Sequence, residues 1–197
     1  MKRIFSTLSP KYVLVSFSKD GKRKRIILKE FGVCSIGTYE NIKAIESALT
    51  DSGVYLTDLV KKTISSTAFK FTRQKKVQLF IQISASDLGF KNGGRYKDII
   101  NSILGAVVIL RGRKYIVEFC LPEVALYLRL QYKNQPVEPI EVEERVDVVM
   151  EPIKGERNDY VLRLVHDTEG IALAGHPAHE NCPRYSGDKF IFSLRAK

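Results

Sequence analysis

Short runs of alternating apolar and polar residues recur along the chain, and turn-forming residues separate most of them. The clearest pair is Lys11–Ser18 and Arg23–Glu30, because the residues between them contain an Asp-Gly dipeptide typical of a two-residue hairpin turn. Similar strand-like runs cover residues 67–72, 75–83, 106–110, 114–120, 141–150, 160–165 and 189–195. The pattern therefore predicts a protein built mostly of antiparallel hairpins.

Apolar residues spaced three and four apart predict a smaller number of helices. The strongest such pattern lies in residues 95–104, where one face holds Tyr96, Ile99, Ile100, Ile103 and Leu104. Further helices are expected over residues 38–49, over 57–63 and from Pro122 to about Tyr132, where the proline suits a first helical turn. The predicted fold class is therefore α+β, with mostly antiparallel hairpins and three or four short helices.

Residues 84–120 combine a turn-rich segment, the helix over 95–104 and a hairpin with the basic tip Arg111–Arg113. This order resembles the winged-helix domains of plasmid and phage replication initiators, and the matching residues run from Ser84 to Ile100. The resemblance implies a winged-helix-like unit at 84–120, with its helix in the DNA major groove and its wing on phosphates. The alternative is that the helix packs its apolar face on a sheet and that its basic residues face solvent.

The positive charge of the chain is concentrated in its first two thirds. The 197 residues include 32 Lys and Arg against 22 Asp and Glu, which gives a net charge of +10. Residues 1–133 hold a net +14, whereas residues 134–197, which begin at a Pro-rich stretch, hold a net −4. We therefore predict a basic α+β nucleic-acid-binding region over 1–133 and an acidic, β-rich region over 134–197 packed on it. A surplus of this size attracts polyanions.

Basic residues in the first region are the candidate contacts with a nucleic acid. They are Lys22, Arg23, Lys24, Arg25, Lys70, Arg73, Lys75, Lys76, Arg95, Lys97, Asn101, Arg111, Arg113 and Lys114. Aromatic residues interleave with the cations of 69–76, an arrangement that also occurs where bases stack on a protein surface. Phe69 and Phe71 share one face of the predicted strand, however, which favours a place in the core.

All three histidines and one cysteine lie close together near the C-terminus, at His166, His176, His179 and Cys182. Imidazole and thiolate are the ligands that tetrahedral zinc prefers, and a zinc ion would hold together the loop expected over residues 170–187. Zinc is therefore the one cofactor that the sequence suggests. The alternative is a surface loop whose polar residues bind nothing.

Several functional classes lack their signatures in this sequence. It contains no Gly-x-x-x-x-Gly-Lys-Ser/Thr phosphate loop, no Gly-x-Gly-x-x-Gly and no Gly-x-Ser-x-Gly nucleophile elbow. The first residues lack the apolar run of a signal peptide, and no run is long enough to span a bilayer. Three widely spaced cysteines suit a reducing compartment. We expect a soluble, intracellular protein, cytoplasmic or nuclear, that is not an enzyme.

The leading hypothesis is a non-enzymatic nucleic-acid-binding protein, with DNA favoured over RNA. The first alternative is a small viral matrix or nucleocapsid-type assembly protein whose basic surface meets an acidic membrane or a genome. In that case the acidic C-terminal region would contact a neighbouring copy and form a homo-oligomer. The second alternative is a metal-dependent nuclease that uses the acidic residues between Glu138 and Glu151.

Overall fold

A computed structural model describes residues 11–19, 22–66, 69–72, 75–133, 135, 145–155 and 158–197, with the backbone alone over the strands before residue 31. The described residues form twelve strands and four helices. The strands are β1 (Lys11–Lys19), β2 (Lys22–Ile36), β3 (Tyr55–Leu56), β4 (Lys76–Ser84), β5 (Gly94–Arg95), β6 (Val107–Leu110), β7 (Arg113–Glu118), β8 (Val146–Ile153), β9 (Tyr160–Asp167), β10 (Gly170–Pro177), β11 (Pro183–Arg184) and β12 (Lys189–Ala196). The helices are α1 (Ile42–Asp51), α2 (Asp58–Ile64), α3 (Tyr96–Ile103) and α4 (Val124–Gln131).

Six strands pair edge to edge in a closed ring. Their order is β12, β4, β2, β1, β6 and β7, every neighbouring pair is antiparallel, and β7 pairs again with β12. Because side chains alternate between the two faces of a strand, one set points into the ring. This inner set includes Ile81, Val108, Val117 and Phe192, all of which are fully buried. Closure therefore gives the ring an apolar interior of its own.

The rest of the large sheet extends from the ring at β12. On one edge, β12 has two neighbours, because Lys189–Ile191 pairs in parallel with β8 and Ser193–Ala196 pairs with β7. The strands β8, β9, β10 and β3 continue outward in that order, so that ring and extension form one ten-stranded mixed sheet. A separate two-stranded ribbon consists of β5 and β11.

Helix α4 contacts both the ring, at β2, and the extension, at β9 and β10. Its residues Val124–Arg129 are all buried, as expected for a helix that is covered on every side. Arg129 is the one charged residue among them, and its guanidinium donates to the carbonyl of Val165 (3.1 Å) and to the side chain of Gln135 (2.6 Å). Burial lowers the pKa of Arg129 to about 10. These hydrogen bonds fasten α4 to β9.

The predicted winged-helix-like unit at 84–120 is wrong, and so is the α+β arrangement of hairpins to which it belongs. The chain forms one large mixed sheet with four helices in its described part. Residues 85–89 are turns, which removes the first helix of the unit. The expected wing, β6 with β7, pairs on its outer edges with β1 and β12, so it is part of the ring. The apolar face of α3 is buried, and Tyr96 packs on Phe190 with 6.4 Å between ring centroids.

Most other elements lie within a few residues of their predicted positions. The expected strand over 67–72 is irregular where it is described, at residues 69–72. The expected loop over 170–187 begins instead with the eight-residue strand β10. Gly170 and Gly175 weaken the strand pattern of that segment, and pairing with β9 overrides the weak propensity. The Asp-Gly turn and residues 141–144 lie outside the described residues.

Two further sequence predictions concern the whole chain. Within the described residues, no helix has the length and apolar character needed to cross a membrane. The boundary between residues 133 and 134 stays a prediction. The strand β12, which belongs to the acidic region, pairs with β4 and β7 of the basic region.

Candidate nucleic-acid interface

The ring brings together two basic groups that are far apart in the sequence. Strands β4 and β7 both run antiparallel to β12, so both begin at the end of the ring where β12 finishes. The cations at this end are exposed, and the backbone N–H of Lys197 donates to the carbonyl of Lys114 (3.1 Å). We call this set the basic end of the ring: Lys75, Lys76, Arg111, Arg113, Lys114 and Lys197.

The turn between β6 and β7 holds Arg111 in an unusual backbone conformation. Leu110 lies opposite Arg113, and the two residues between them, Arg111 and Gly112, have φ values of 51° and 76°. Positive φ at both central positions is the geometry of a type I′ turn, where Asn-Gly is preferred. Among the non-glycine residues described, Arg111 is the one with positive φ. Arginine therefore occupies a position whose backbone conformation is unfavourable for this residue type.

The register of the ring places part of the Lys22–Arg25 group near the basic end. Arg25 lies opposite Ser16, Ser16 lies opposite Ile109, and Ile109 lies opposite Lys114. Three strand spacings of about 4.8 Å put the Arg25 backbone about 14 Å from that of Lys114. Lys22, Arg23 and Lys24 precede Arg25 in β2 and continue away from this row.

Among the described residues, Glu118 and Glu123 are carboxylates on elements that neighbour the basic end. Glu118 already pairs with Arg195 at 2.5 Å. Glu123, beside the start of α4, is buried and accepts a hydrogen bond from the backbone N–H of Thr72 (2.7 Å). Burial raises the pKa of Glu123, although the Thr72 N–H and the Lys76 ammonium act in the opposite direction. Both of these carboxylates therefore already have a hydrogen-bonding partner.

The aromatic residues near Lys70 belong to the core. Phe71 stacks on Tyr127 with 6.3 Å between ring centroids and an interplanar angle of 17°. Phe69 is half-buried and lines a cavity of about 750 Å³ between α2, β8 and β10. Lys70 itself is exposed, and Arg73 lies outside the described residues. Both rings therefore pack against the core, and Lys70 is an exposed cation in the described part of this segment.

The candidate residues of α3, and Arg95 just before it, lie at the opposite end of the ring, where β4 ends and β6 begins. Arg95 pairs with Asp98 at 2.7 Å, and Lys97 pairs with Glu180 at 2.6 Å. Asn101 is exposed and lines a cavity of about 400 Å³. Strand β4 alone separates the two ends by about 26 Å, given a rise of about 3.3 Å per residue. The structure therefore does not combine these residues with the basic end.

The four predicted zinc ligands do not converge. The register of β9 and β10 places His166 and His176 on opposite faces of the sheet. His179 lines the 400 Å³ cavity, whereas the sulfur of Cys182 accepts a hydrogen bond from the Arg184 guanidinium (2.9 Å). In the part of the chain that the structure describes, no three His, Cys, Asp or Glu side chains are placed to hold a metal ion. Zinc binding stays a prediction.

A buried ion cluster, which no sequence pattern indicated, connects β8 to β9, β10 and β11. Asp147 is fully buried and accepts hydrogen bonds from Nε of Arg163 (2.6 Å) and Nε of Arg184 (3.1 Å). The Nδ1 atom of His176 lies 3.3 Å from the same carboxylate. Burial alone would raise the pKa of Asp147, but Arg163 and His176 hold it well below its usual range. Arg184 also donates to the carbonyl of Pro177 (2.6 Å), so the cluster fastens β11 to the sheet.

Comparison of the chain with protein-family models, with curated proteins and with solved structures finds no match. A functional proposal therefore depends on the geometry of the described residues.

Proposed function

We propose that the protein is a non-enzymatic nucleic-acid-binding protein that holds backbone phosphates at the basic end of the ring, with DNA as the favoured partner. The observation that supports the proposal is the antiparallel closure of the ring, which gathers Lys75 and Lys76 with Arg113 and Lys114. All four are exposed. A cluster of exposed cations raises the local concentration of a polyanion and speeds its association.

Contacts of this kind fix the position of a nucleic acid and read little of its sequence, because phosphates are the same at every base pair. Each neutralised phosphate releases counterions, so six contacts predict a slope of about −5 for log affinity against log salt on duplex DNA. Fluorescence anisotropy with labelled duplex DNA and RNA, from about 50 to 200 mM salt, measures this slope. An affinity that does not change with salt would contradict the proposal.

Charge reversal of Lys114 to glutamate is expected to weaken binding to all DNA sequences and to reduce the magnitude of the salt slope by about one or more. Lys62→Glu is the matched control, because Lys62 is also exposed but lies on α2, which packs on β10 in the extension of the sheet, three strands away from β12. Anisotropy titrations of both variants over the same salt series provide the comparison. Equal losses for Lys62→Glu and Lys114→Glu would indicate an unspecific effect of net charge and would reject the basic end as the site.

Replacing Arg111 by asparagine is expected to lower the affinity for DNA without lowering the free energy of unfolding. Asparagine tolerates the left-handed backbone at this turn better than arginine, so the free energy of unfolding should stay equal or rise by up to about 1 kcal/mol. The same variant loses one cation of the basic end and should bind DNA more weakly. Urea denaturation and anisotropy measure the two effects. Unchanged affinity in a variant of unchanged or greater stability would remove Arg111 from the interface.

A further inference from the structure

The β5–β11 ribbon presents an exposed tyrosine next to an arginine. In this antiparallel pair Pro183 lies opposite Arg95, and Arg184 lies opposite Gly94. Arg184 is buried, whereas Tyr185 is 80% exposed. Tyr185, which directly follows β11, and Arg95 are both exposed. Extending the register of the ribbon by one residue makes them diagonal neighbours, about 7–8 Å apart and within reach of long side chains.

The backbone that holds Tyr185 is tied down on both sides. The N–H of Tyr185 donates to the Asp188 carboxylate (2.9 Å), and the N–H of Asp188 donates to the Tyr185 carbonyl (3.1 Å). The N–H of Ser86, just after β4, donates to the carbonyl of Ser186 (2.9 Å). Gly93 approaches the Tyr185 backbone so closely that its missing Cβ would lie 3.3 Å from the Tyr185 Cα. The Tyr185 side chain therefore projects from a turn that is already ordered. A ligand that binds there loses little affinity to the entropy cost of ordering the backbone.

Exposed cations lie on or just before the ribbon that precedes Tyr185, together with the carboxylates of Asp98 and Asp188, and the Asp188 carboxylate already accepts a hydrogen bond from the Tyr185 backbone N–H. Lys91 is exposed in the turn before the ribbon, and Arg95 is 63% exposed at its side chain. The partner of Arg95 is Asp98, which is 42% exposed. A surface pair of this kind contributes little stability, so a phosphate can compete for the guanidinium.

We propose that Tyr185 is a stacking site for one base of a single-stranded nucleic acid, with Arg95 holding an adjacent phosphate. The proposal rests on the proposed function and deepens it, because it names a single strand as a ligand class. Every base has an aromatic face, but a duplex hides all of these faces except those at its ends. Stacking on an exposed tyrosine therefore distinguishes single strands from duplexes, whereas phosphate contacts at the basic end serve both.

The test compares Tyr185→Ala and Tyr185→Phe for binding to labelled oligo(dT), oligo(U) and a hairpin-capped DNA duplex. Alanine should weaken binding of the single strands about tenfold or more, given the usual loss on removing one stacked aromatic residue. The phenylalanine variant keeps an aromatic side chain and should retain nearly full affinity for single strands. Duplex affinity and its salt slope should be the same in all three proteins. Photo-crosslinking of wild-type protein to 5-iodouracil oligonucleotides, followed by mass spectrometry, should modify Tyr185.

Tyr55→Ala is the matched control, because Tyr55 is 61% exposed and also lies beside a cation, with Lys61 5.8 Å from its ring centroid. This variant should bind single strands as the wild type does. Normal single-strand binding by Tyr185→Ala, together with crosslinks elsewhere, would overturn the stacking site and leave the basic end untouched. A wild-type protein that binds neither single strands nor duplexes would instead overturn the proposed function itself.

Discussion

Replacing Asp147 by asparagine is expected to lower the free energy of unfolding by about 3–5 kcal/mol, because it removes the acid of a buried ion cluster and leaves its two arginines. Arg163 and Arg184 are both buried, and each donates through Nε to this carboxylate. Their cost of transfer from water is offset by Asp147. An uncompensated guanidinium in the same place has no such offset.

Asp98→Asn provides the matched control for this prediction. It also removes a carboxylate from an arginine, but the pair Arg95–Asp98 lies at the surface, and its loss should cost about 1 kcal/mol or less. Urea denaturation of both variants at neutral pH measures the difference. Similar, small losses at Asp98 and Asp147 would mean that the cluster contributes no more than a surface pair.

The dependence of stability on pH gives a second measurement on the same cluster. The pKa of Asp147 is lower in the folded protein than the usual value of about 3.9 for an unfolded chain. Its contribution is therefore fully present above that pH and is lost as the pH falls, because protons then bind the unfolded chain first. Wild-type stability should fall between about pH 5 and pH 3 more steeply than that of Asp147→Asn. Parallel curves would contradict the assignment.

The position of Asp147 shows where sequence patterns stop being informative. In the sequence, Asp147 stands among valines and acids in an alternating strand, a pattern that predicts a solvent-facing side chain. In the structure Val146–Met150 are buried without alternation. The face that bears Asp147 is covered by β11, which follows it by more than thirty residues. This contact and those with Arg163 and His176, all from later strands, distinguish an exposed acid from the centre of a buried cluster.

Local elements could be predicted because their determinants lie within a few residues. The hairpin of β1 and β2 and the helix α3 follow from a turn signal and from helical spacing. The ring could not be predicted, because it depends on β12 pairing with β4, β7 and β8, and no local pattern specifies which strands become neighbours. The winged-helix error has the same origin, since β6 and β7 form a true hairpin whose outer edges are paired.

The candidate site shows the same division. Exposure of Lys75, Arg113 and Lys114 could be predicted from their charge. Their grouping at one end of the ring required the strand order, and so did the separation of Arg95 from them. Tyr185 was missed because it lies in a segment that the sequence predicts to be a loop around zinc, and its exposure is visible only in the folded structure.

Substituting alanine for Gly93 is expected to lower the free energy of unfolding by about 3 kcal/mol, through backbone strain and overpacking together. Gly93 has a φ of 77°, a conformation that alanine adopts only with strain. A Cβ at this position would also overlap the carbonyl oxygen of Arg184, and a backbone atom cannot move aside as a flexible side chain can. The substitution should therefore push β11 away from β5 and strain the contact between Arg184 and Asp147.

Gly105→Ala separates these two causes. Gly105 has a φ of 78°, but nothing lies within 4 Å of the Cβ that alanine would add, so this control should cost only about 1–2 kcal/mol. Urea denaturation measures both losses, and anisotropy with oligo(dT) measures a further effect. Because β11 precedes Tyr185 directly, Gly93→Ala should also weaken single-strand binding while duplex binding at the basic end persists. Equal losses of stability in the two variants would show that the ribbon can absorb the extra carbon, and β11 would then be too loosely held to fix the tyrosine.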